Sequence, residues 1–492
     1  MIIVGAGLSG IGAAWHLRHA LPHKSFTMLE ARDEIGGTWD LFRYPGIRSD
    51  SDLHTYGFAF KPWTDDDAIA DGPSILRYLD ETVEESGLRP HIRFGHRVVR
   101  ASWSTADACW TVEAQRTDTG ETVVMQSAWL FATTGYFRYD HGHQPELPGI
   151  ERFGGTVVHP QAWPDGLDYA GKRVVVVGSG ATAVTLLPAM AGTATHVTML
   201  QRSPTYYITL PQQDALANLA RRFLSPERAY AWTRRKNVTS QAFFYRLSRR
   251  RPNLVKRMLV RNVAKQLPEG YDVARHFTPT YDPWDQRVCL TPGGDLFRAI
   301  SSGAASVVTD TIDTFTERGI RLSSGDEIEA DIVVTATGLE LLALGGMDVE
   351  VDGRTMEVGE RLVYKSTMLS DVPNFAFVFG YTNASWTLKV DLVCEWVCRC
   401  IAFMDRNGYV SAVPVNRDPA MATGPMLEFG AGYVQRALDR FPRQGAGPWA
   451  VSMSYAADAR RLRDGDIDDG VLQLTRQEPT PVGTITGAPP GS

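Results

Sequence analysis

The sequence predicts an α/β protein with two Rossmann-like dinucleotide-binding domains, the second inserted in a discontinuous first, and an added helical insertion. Three observations lead there. A glycine-rich turn, Gly5-Ala6-Gly7-Leu8-Ser9-Gly10, follows an apolar strand and opens a helix carrying Ile11, Ala14, Trp15 and Leu17. A second turn, Gly178-Ser179-Gly180-Ala181-Thr182-Ala183, follows the apolar run Val174-Val175-Val176-Val177. Two more hydrophobic runs end on related turns, Phe131-Ala132-Thr133-Thr134-Gly135-Tyr136 and Val334-Thr335-Ala336-Thr337-Gly338, where the chain would leave and re-enter a nucleotide domain. At 492 residues the chain has room for two or three domains, each with its own core. The expected division places a first domain at residues 1–140 and 325–476 and a linker at 141–165. A second domain follows at 166–324, with a basic helical insertion at 210–270, and the Pro/Gly-rich residues 477–492 read as a disordered tail.

In chain order, the first strand has few residues before Gly5, so it is either short or begins upstream of Met1. Gly5 permits the tight turn, Gly7 lets the backbone approach a pyrophosphate, and Gly10 lets the helix pack on the strand. The helix N-terminus offers free N–H groups and positive partial charge to phosphates. Phe26-Thr27-Met28-Leu29 reads as the second strand and ends on Glu30, twenty residues after Gly10. A carboxylate there accepts bonds from both ribose hydroxyls and repels a 2′-phosphate, so this site suits FAD or NAD. Residues 97–102, 110–116 and 121–126 then read as a strand meander.

The second nucleotide site differs by one charge. Ala183 stands for the third glycine, and the next strand, His196-Val197-Thr198-Met199-Leu200, ends on Gln201-Arg202-Ser203. No acid occupies the ribose position. Arg202 can bind a 2′-phosphate through charge-assisted bonds worth about 1.5–3 kcal/mol each, so the second nucleotide is expected to be NADPH. A dehydrogenase needs one such site, whereas a flavin enzyme reduced by a nicotinamide needs two. Disulfide reductases need a redox pair of cysteines near the flavin, and no cysteine lies near the first glycine turn in sequence.

Composition narrows the classes further. With 43% hydrophobic and 22% charged residues and a net charge of −6, the chain reads as an ordinary globular protein without an affinity for nucleic acid. No run of about 18 apolar residues marks a spanning helix, and no basic, cleavable leader precedes the first strand. The five cysteines are odd in number, and Cys394, Cys398 and Cys400 lack metal-site spacing. They read as free thiols in a reducing cytoplasm, with no metal.

Two motifs carry more specific information. Residues 153–164 spell F-x-G-x-x-x-H-x-x-x-W-P through Phe153, Gly155, His159, Trp163 and Pro164. Residues 36–50 read Gly36-Gly37-Thr38-Trp39-Asp40-Leu41-Phe42-Arg43-Tyr44-Pro45-Gly46-Ile47-Arg48-Ser49-Asp50. Both resemble segments of the Baeyer–Villiger monooxygenases, flavoenzymes that use NADPH and O2 to insert oxygen beside a carbonyl. Over most of its length the chain is similar to the ethionamide-activating branch of that family. The resemblance implies that Gly37, Thr38, Trp39, Asp40 and Leu41 contact FAD and that Val98 meets the adenine. It places Arg48, Ser49 and Asp50 where flavin and nicotinamide meet, with Tyr56 nearby. It also makes Arg287, in Trp284-Asp285-Gln286-Arg287, the active-site arginine, tuned by Asp50. Many relatives carry Lys-Arg where this chain has Gln286-Arg287, which leaves Arg202 to carry most of the NADP preference.

The expected reaction is oxidation of a ketone to an ester or lactone through a peroxide formed on the reduced flavin. The alternative is S- or N-oxygenation of thioethers, thioamides or amines, and a flavin reductase or sensor is the rival from another class. His159 lies in the expected linker with no acidic neighbour and reads as a hinge residue rather than a base. Residues 221–265 hold fourteen Lys/Arg and one acid, Glu227, leaving −19 for the rest of the chain. Solvated helix faces, electrostatic guidance of NADPH and weak peripheral attachment to anionic lipid all fit that block.

Overall fold

The computed structural model describes residues 1–476, and the tail expected at 477–492 lies outside the described residues. Its centre is a parallel five-stranded sheet in the order Phe375–Phe377, Leu130–Ala132, Ile2–Val4, Thr27–Leu29, Ile92–Arg93. The middle strands are buried on both faces, with Ile3, Met28 and Leu130 fully covered, which is why they read as unbroken apolar runs. The first strand is three residues long and pairs in register with two neighbours, Ile3 facing Met28 and Phe131. Helix Leu8–Ala20 packs on the long helix Trp386–Asn407; a Cβ at Gly12 would lie 3.1 Å from both Phe58 and Val390.

A second parallel sheet repeats the plan in the order Ala305–Thr309, His196–Gln201, Arg173–Val177, Ile332–Val334, Thr156–Val158. Its strands all fall between Leu130–Ala132 and Phe375–Phe377 in the chain, so one sheet is nested within the sequence of the other. The expected meander is present as His96–Ser104, Cys109–Arg116 and Thr122–Ser127, extended by Asp348–Val351 and Arg354–Thr355.

Two expected boundaries shift. The return to the first domain, set at residue 325, comes too early, because Ile332–Val334 pairs with Arg173–Val177 and belongs to the second sheet. The linker of residues 141–165 is not free chain throughout, because Thr156–Val158 pairs in parallel with Ile332–Val334 as an edge strand. One cause explains both: Ile332-Val333-Val334 is buried and needs a hydrogen-bonded neighbour on each side.

The two strand-ending turns have a packing role that repeats. A Cβ at Gly5 would lie 2.9 Å from the carbonyl oxygen of Thr133, and one at Gly178 would lie 2.3 Å from that of Ala336. Each turn therefore lies against the first glycine of its own nucleotide motif, and both glycines have positive φ, +103° and +139°. Only glycine meets both demands.

The basic insertion consists of helices Ala215–Phe223, Pro226–Arg250 and Pro252–Ala264. Arg234 docks it on the first domain, donating to the carbonyls of His54, Thr55 and Gly57 at 3.2, 3.1 and 2.7 Å and to Asp391 at 3.1 Å.

Candidate active site

A cavity of about 760 Å³ runs from the first glycine turn to the insertion, past the carboxyl ends of the first sheet's strands. Ligands of open parallel sheets bind at such ends. At its deep end lie Gly5, Gly7, Ser9, Glu30, Arg97 and Val98. Glu30 is buried, and its two oxygens accept from the Ala6 amide at 2.7 Å and the Arg32 amide at 2.9 Å. Burial pushes its carboxyl up, while those amides and the Arg32 guanidinium oppose the rise. A carboxylate has about four acceptor sites, so two remain for ribose hydroxyls. Gly7 and Gly37 face each other so closely that a Cβ on Gly37 would lie 3.3 Å from the Gly7 Cα. That paired gap leaves bare backbone beside a helix N-terminus, which suits a diphosphate.

The wall beyond is aromatic. Trp39 Nε1 donates to the Tyr56 hydroxyl at 2.8 Å, Thr38 shares a 3.1 Å bond with Tyr139, and Trp386 Nε1 donates to Ser9 Oγ at 2.8 Å. Tyr136 stacks on Trp386 at 5.1 Å. Two expected contacts do not face the cavity. Asp40 is buried between Arg32 and Arg43, 2.5 Å from each, and Leu41 packs against the core of the second sheet. Gly10 serves packing alone, since a Cβ there would lie 2.0 Å from the Gly5 carbonyl oxygen.

Arg287 and Asp50 meet on the cavity wall, with Nη1 3.5 Å from Oδ2, although 237 residues separate them in the chain. Protein surrounds both, and the surface they keep open faces the cavity. Burial pushes the Asp50 carboxyl up, and the Arg287 and Arg48 guanidiniums oppose it. Tyr433, Tyr136 and Asp50 hold Arg287 firmly cationic against its burial. Arg48 pairs with Asp295 and keeps Nη2 unpartnered, while Ser49 is buried behind it and also lines the cavity.

The second glycine turn opens elsewhere. Ala181 and Thr185 reach the cavity, as does Tyr44. Gly178, Ser179, Gly180, Arg202 and Ser203 form a separate face, with Ser179 Oγ 3.3 Å from the Ser203 carbonyl and 3.1 Å from Thr205 Oγ1. Nothing lies within 4 Å of a Cβ at Gly180, and helix Ala181–Met190 has no side-chain cap, so its first N–H groups are free for phosphate. Arg202 is exposed and has no ion pair among the described residues. Ala183 is fully buried, as the helix-packing position requires. These residues fit FAD at the first turn and NADPH at the second.

Sequence reasoning missed Tyr136, Tyr139, Tyr433 and Trp284, and Gln241 and Phe244 of the insertion complete the wall. Tyr136 carried a usable signal, because it directly follows the Thr133-Thr134-Gly135 turn. Tyr433 carried none.

His159 lies outside this cavity. Its Nδ1 accepts from the Gln161 amide at 3.2 Å, and its ring fills the space a Cβ at Gly142 would need. Burial lowers its pKa, so it is a neutral packing element. Gly155 is sterically obligatory, with a Cβ there 2.4 Å from the Asp331 carbonyl and 2.5 Å from the Phe153 ring.

Two nested parallel sheets, each with a glycine turn at the carboxyl end of its central strand, define a protein with two dinucleotide-binding folds. Residues 3–70 match the NAD(P)-binding Rossmann-like domain model. Over 485 residues the chain is 50% identical to the FAD-containing monooxygenase EthA of Mycobacterium tuberculosis, covering 98% of this chain and 99% of that one. Its fold is similar to steroid monooxygenase bound to NADP, with TM-score 0.76 and 22% identity over 97% of this chain and 99% of the other. Cyclohexanone monooxygenase is similar as well, at TM-score 0.74 and 23% identity over 96% and 99%. The chain belongs to the FAD-containing monooxygenases. No helix among the described residues is long and apolar enough to cross a membrane.

Proposed function

We propose that this monooxygenase inserts one oxygen atom from O2 next to a ketone carbonyl, giving an ester or lactone. The observation that carries the reading is the cation Arg287, its open surface facing an aromatic cavity and its guanidinium held beside Asp50. FAD, reduced by NADPH, supplies the activated oxygen when bound. Attack on a carbonyl turns its oxygen into an alkoxide, and a fixed guanidinium in a water-poor site stabilises that charge without reorganising. Arginine suits the task because it stays protonated at any working pH. Asp50 orients the guanidinium and is the anion beside it. Trp386, Tyr136 and Trp39 exclude water from the reacting end. In the proposed cofactor arrangement, Glu30 holds the FAD ribose, and Arg202 with Ser203 holds the 2′-phosphate of NADPH.

The test is Arg287→Ala. The variant keeps its yellow flavin and its NADPH-dependent bleaching, but loses ester formation on a ketone panel by about a hundredfold or more, the scale of losing one oxyanion donor. Unchanged ester yield would remove Arg287 from this role. Oxygenation at sulfur or nitrogen builds up no carbonyl alkoxide, so products retained only on thioethers or amines would favour that reaction instead.

A further inference from the structure

Among the described residues, eleven large apolar side chains are strongly exposed, and nine of them lie between Leu210 and Met258. Residues 221–265 also carry a net charge of +13 in a chain of net −6. The two features coincide on the same surfaces. On helix Pro226–Arg250, Arg228, Trp232, Arg235, Phe243, Arg246 and Arg250 recur at three- or four-residue spacing or its multiples, share one face and are all exposed. Helix Pro252–Ala264 presents Leu254, Arg257, Met258 and Arg261 in the same way, and helix Ala215–Phe223 exposes Leu216, Leu219 and Phe223.

Most of the cations are not used internally. Arg221, Arg234, Lys236 and Arg249 pair with acids, and Lys256 bonds the Pro279 carbonyl. The other nine basic side chains of residues 221–265 are exposed and have no acidic partner among the described residues. Such a density of bare arginine beside bare aromatic and aliphatic groups is costly in water unless something covers it.

We propose that this insertion is a docking face for the surface of an anionic phospholipid bilayer. Trp232, Phe243, Phe223 and the leucines would enter the headgroup boundary, while the arginines bind lipid phosphates at the same depth. The charge distribution selects the orientation. The remainder of the chain, at −19, is repelled by the same surface, so only the insertion can face it. Nucleic acid would use the cations and leave the nine apolar groups uncovered. The surface also reaches the cavity, because Leu210 is 44% exposed and lines it. Apolar substrates dissolved in the bilayer would then have a short dry route to the reacting end. The inference concerns location and stands whether or not a ketone is the substrate.

The experiment is sedimentation of the full-length flavin-loaded protein with phosphatidylcholine vesicles, with and without phosphatidylglycerol, at low and high salt. The protein is expected to bind the anionic vesicles at low salt, to bind pure phosphatidylcholine far less, and to be released by salt. The triple variant Arg246→Glu/Arg250→Glu/Arg257→Glu is expected to lower the partition coefficient by at least about a hundredfold, the worth of three surface cations. Trp232→Ser/Phe243→Ser should weaken it while leaving the salt dependence in place. These side chains are exposed and outside the site, so flavin content and NADPH oxidation without vesicles should match the parent. If a variant loses flavin, Arg246→Gln/Arg250→Gln/Arg257→Gln replaces it. No binding to anionic vesicles overturns the proposal, as does equal binding by the charge variant. So does retention on RNA or heparin without vesicle binding, which would mark a general polyanion site. Unchanged vesicle affinity of the Trp232→Ser/Phe243→Ser variant would also overturn it, by showing that the face does not enter the bilayer.

Discussion

Asp50 is the residue whose environment sets the working range of the site. Its carboxyl is pushed up by burial, and only Arg287 and Arg48 resist that push. A raised pKa means the proton is held to higher pH, so the charged Asp50–Arg287 pair exists only above it. Ester formation is therefore expected to fall on acidification at a higher pH than an exposed aspartate, near 3.9, would cause. The acid limb of kcat/KM against pH should vanish in Asp50→Asn, and a limb that persists unchanged would assign the titration to another group. Single residues with their own chemistry stand out in the sequence: Glu30 by its distance from Gly10, Arg202 by the missing acid, and Arg287 by its motif; the structure sets Glu30 and Arg287 on the cavity wall. Tyr433 does not stand out, because only folding brings it beside Arg287, whereas Tyr136 follows the Thr133-Thr134-Gly135 turn and could have been singled out. Asp40 was misread for a related reason. Arg32 and Arg43 claim its carboxylate, and it does not line the cavity.

At the scale of elements, the informative case is the three-residue edge strand Thr156–Val158. It carries too little pattern to announce itself, and Val157 is 41% exposed, as an edge position allows. What secures the strand is contact rather than propensity: Gly155 slips between the Phe153 ring and the Asp331 carbonyl, and pairing with Ile332–Val334 follows. Gly155→Ala forces a methyl into that gap and is expected to destabilise the protein by about 1–3 kcal/mol, the usual cost of overpacking. Thermal unfolding would show it, and an unchanged midpoint would mean the edge strand yields without cost. The long helices and the two central strand pairs were legible because burial on both faces forces continuous apolar runs.

For the whole molecule, the first nucleotide motif lines the cavity, while the second meets it only through Ala181 and turns the rest of its residues to a separate face. NADP⁺ at about a hundred times its Kd should stabilise the flavin-loaded protein by about 2.7 kcal/mol. Arg202→Ala should require roughly ten- to a hundredfold more NADP⁺ for the same thermal shift, with the response to NAD⁺ unchanged. Equal loss for both nucleotides would move Arg202 from phosphate recognition to general folding.

One helix also carries two neighbours with opposite outlooks. Phe244 looks inward and lines the cavity, while Phe243 looks outward and is 67% exposed. Adjacent codons thus answer to separate pressures. A change at position 244 can alter which molecules fit without altering where the enzyme resides, and a change at 243 can do the reverse. A lineage, or an engineer, is free to broaden the diet of this catalyst without moving its address.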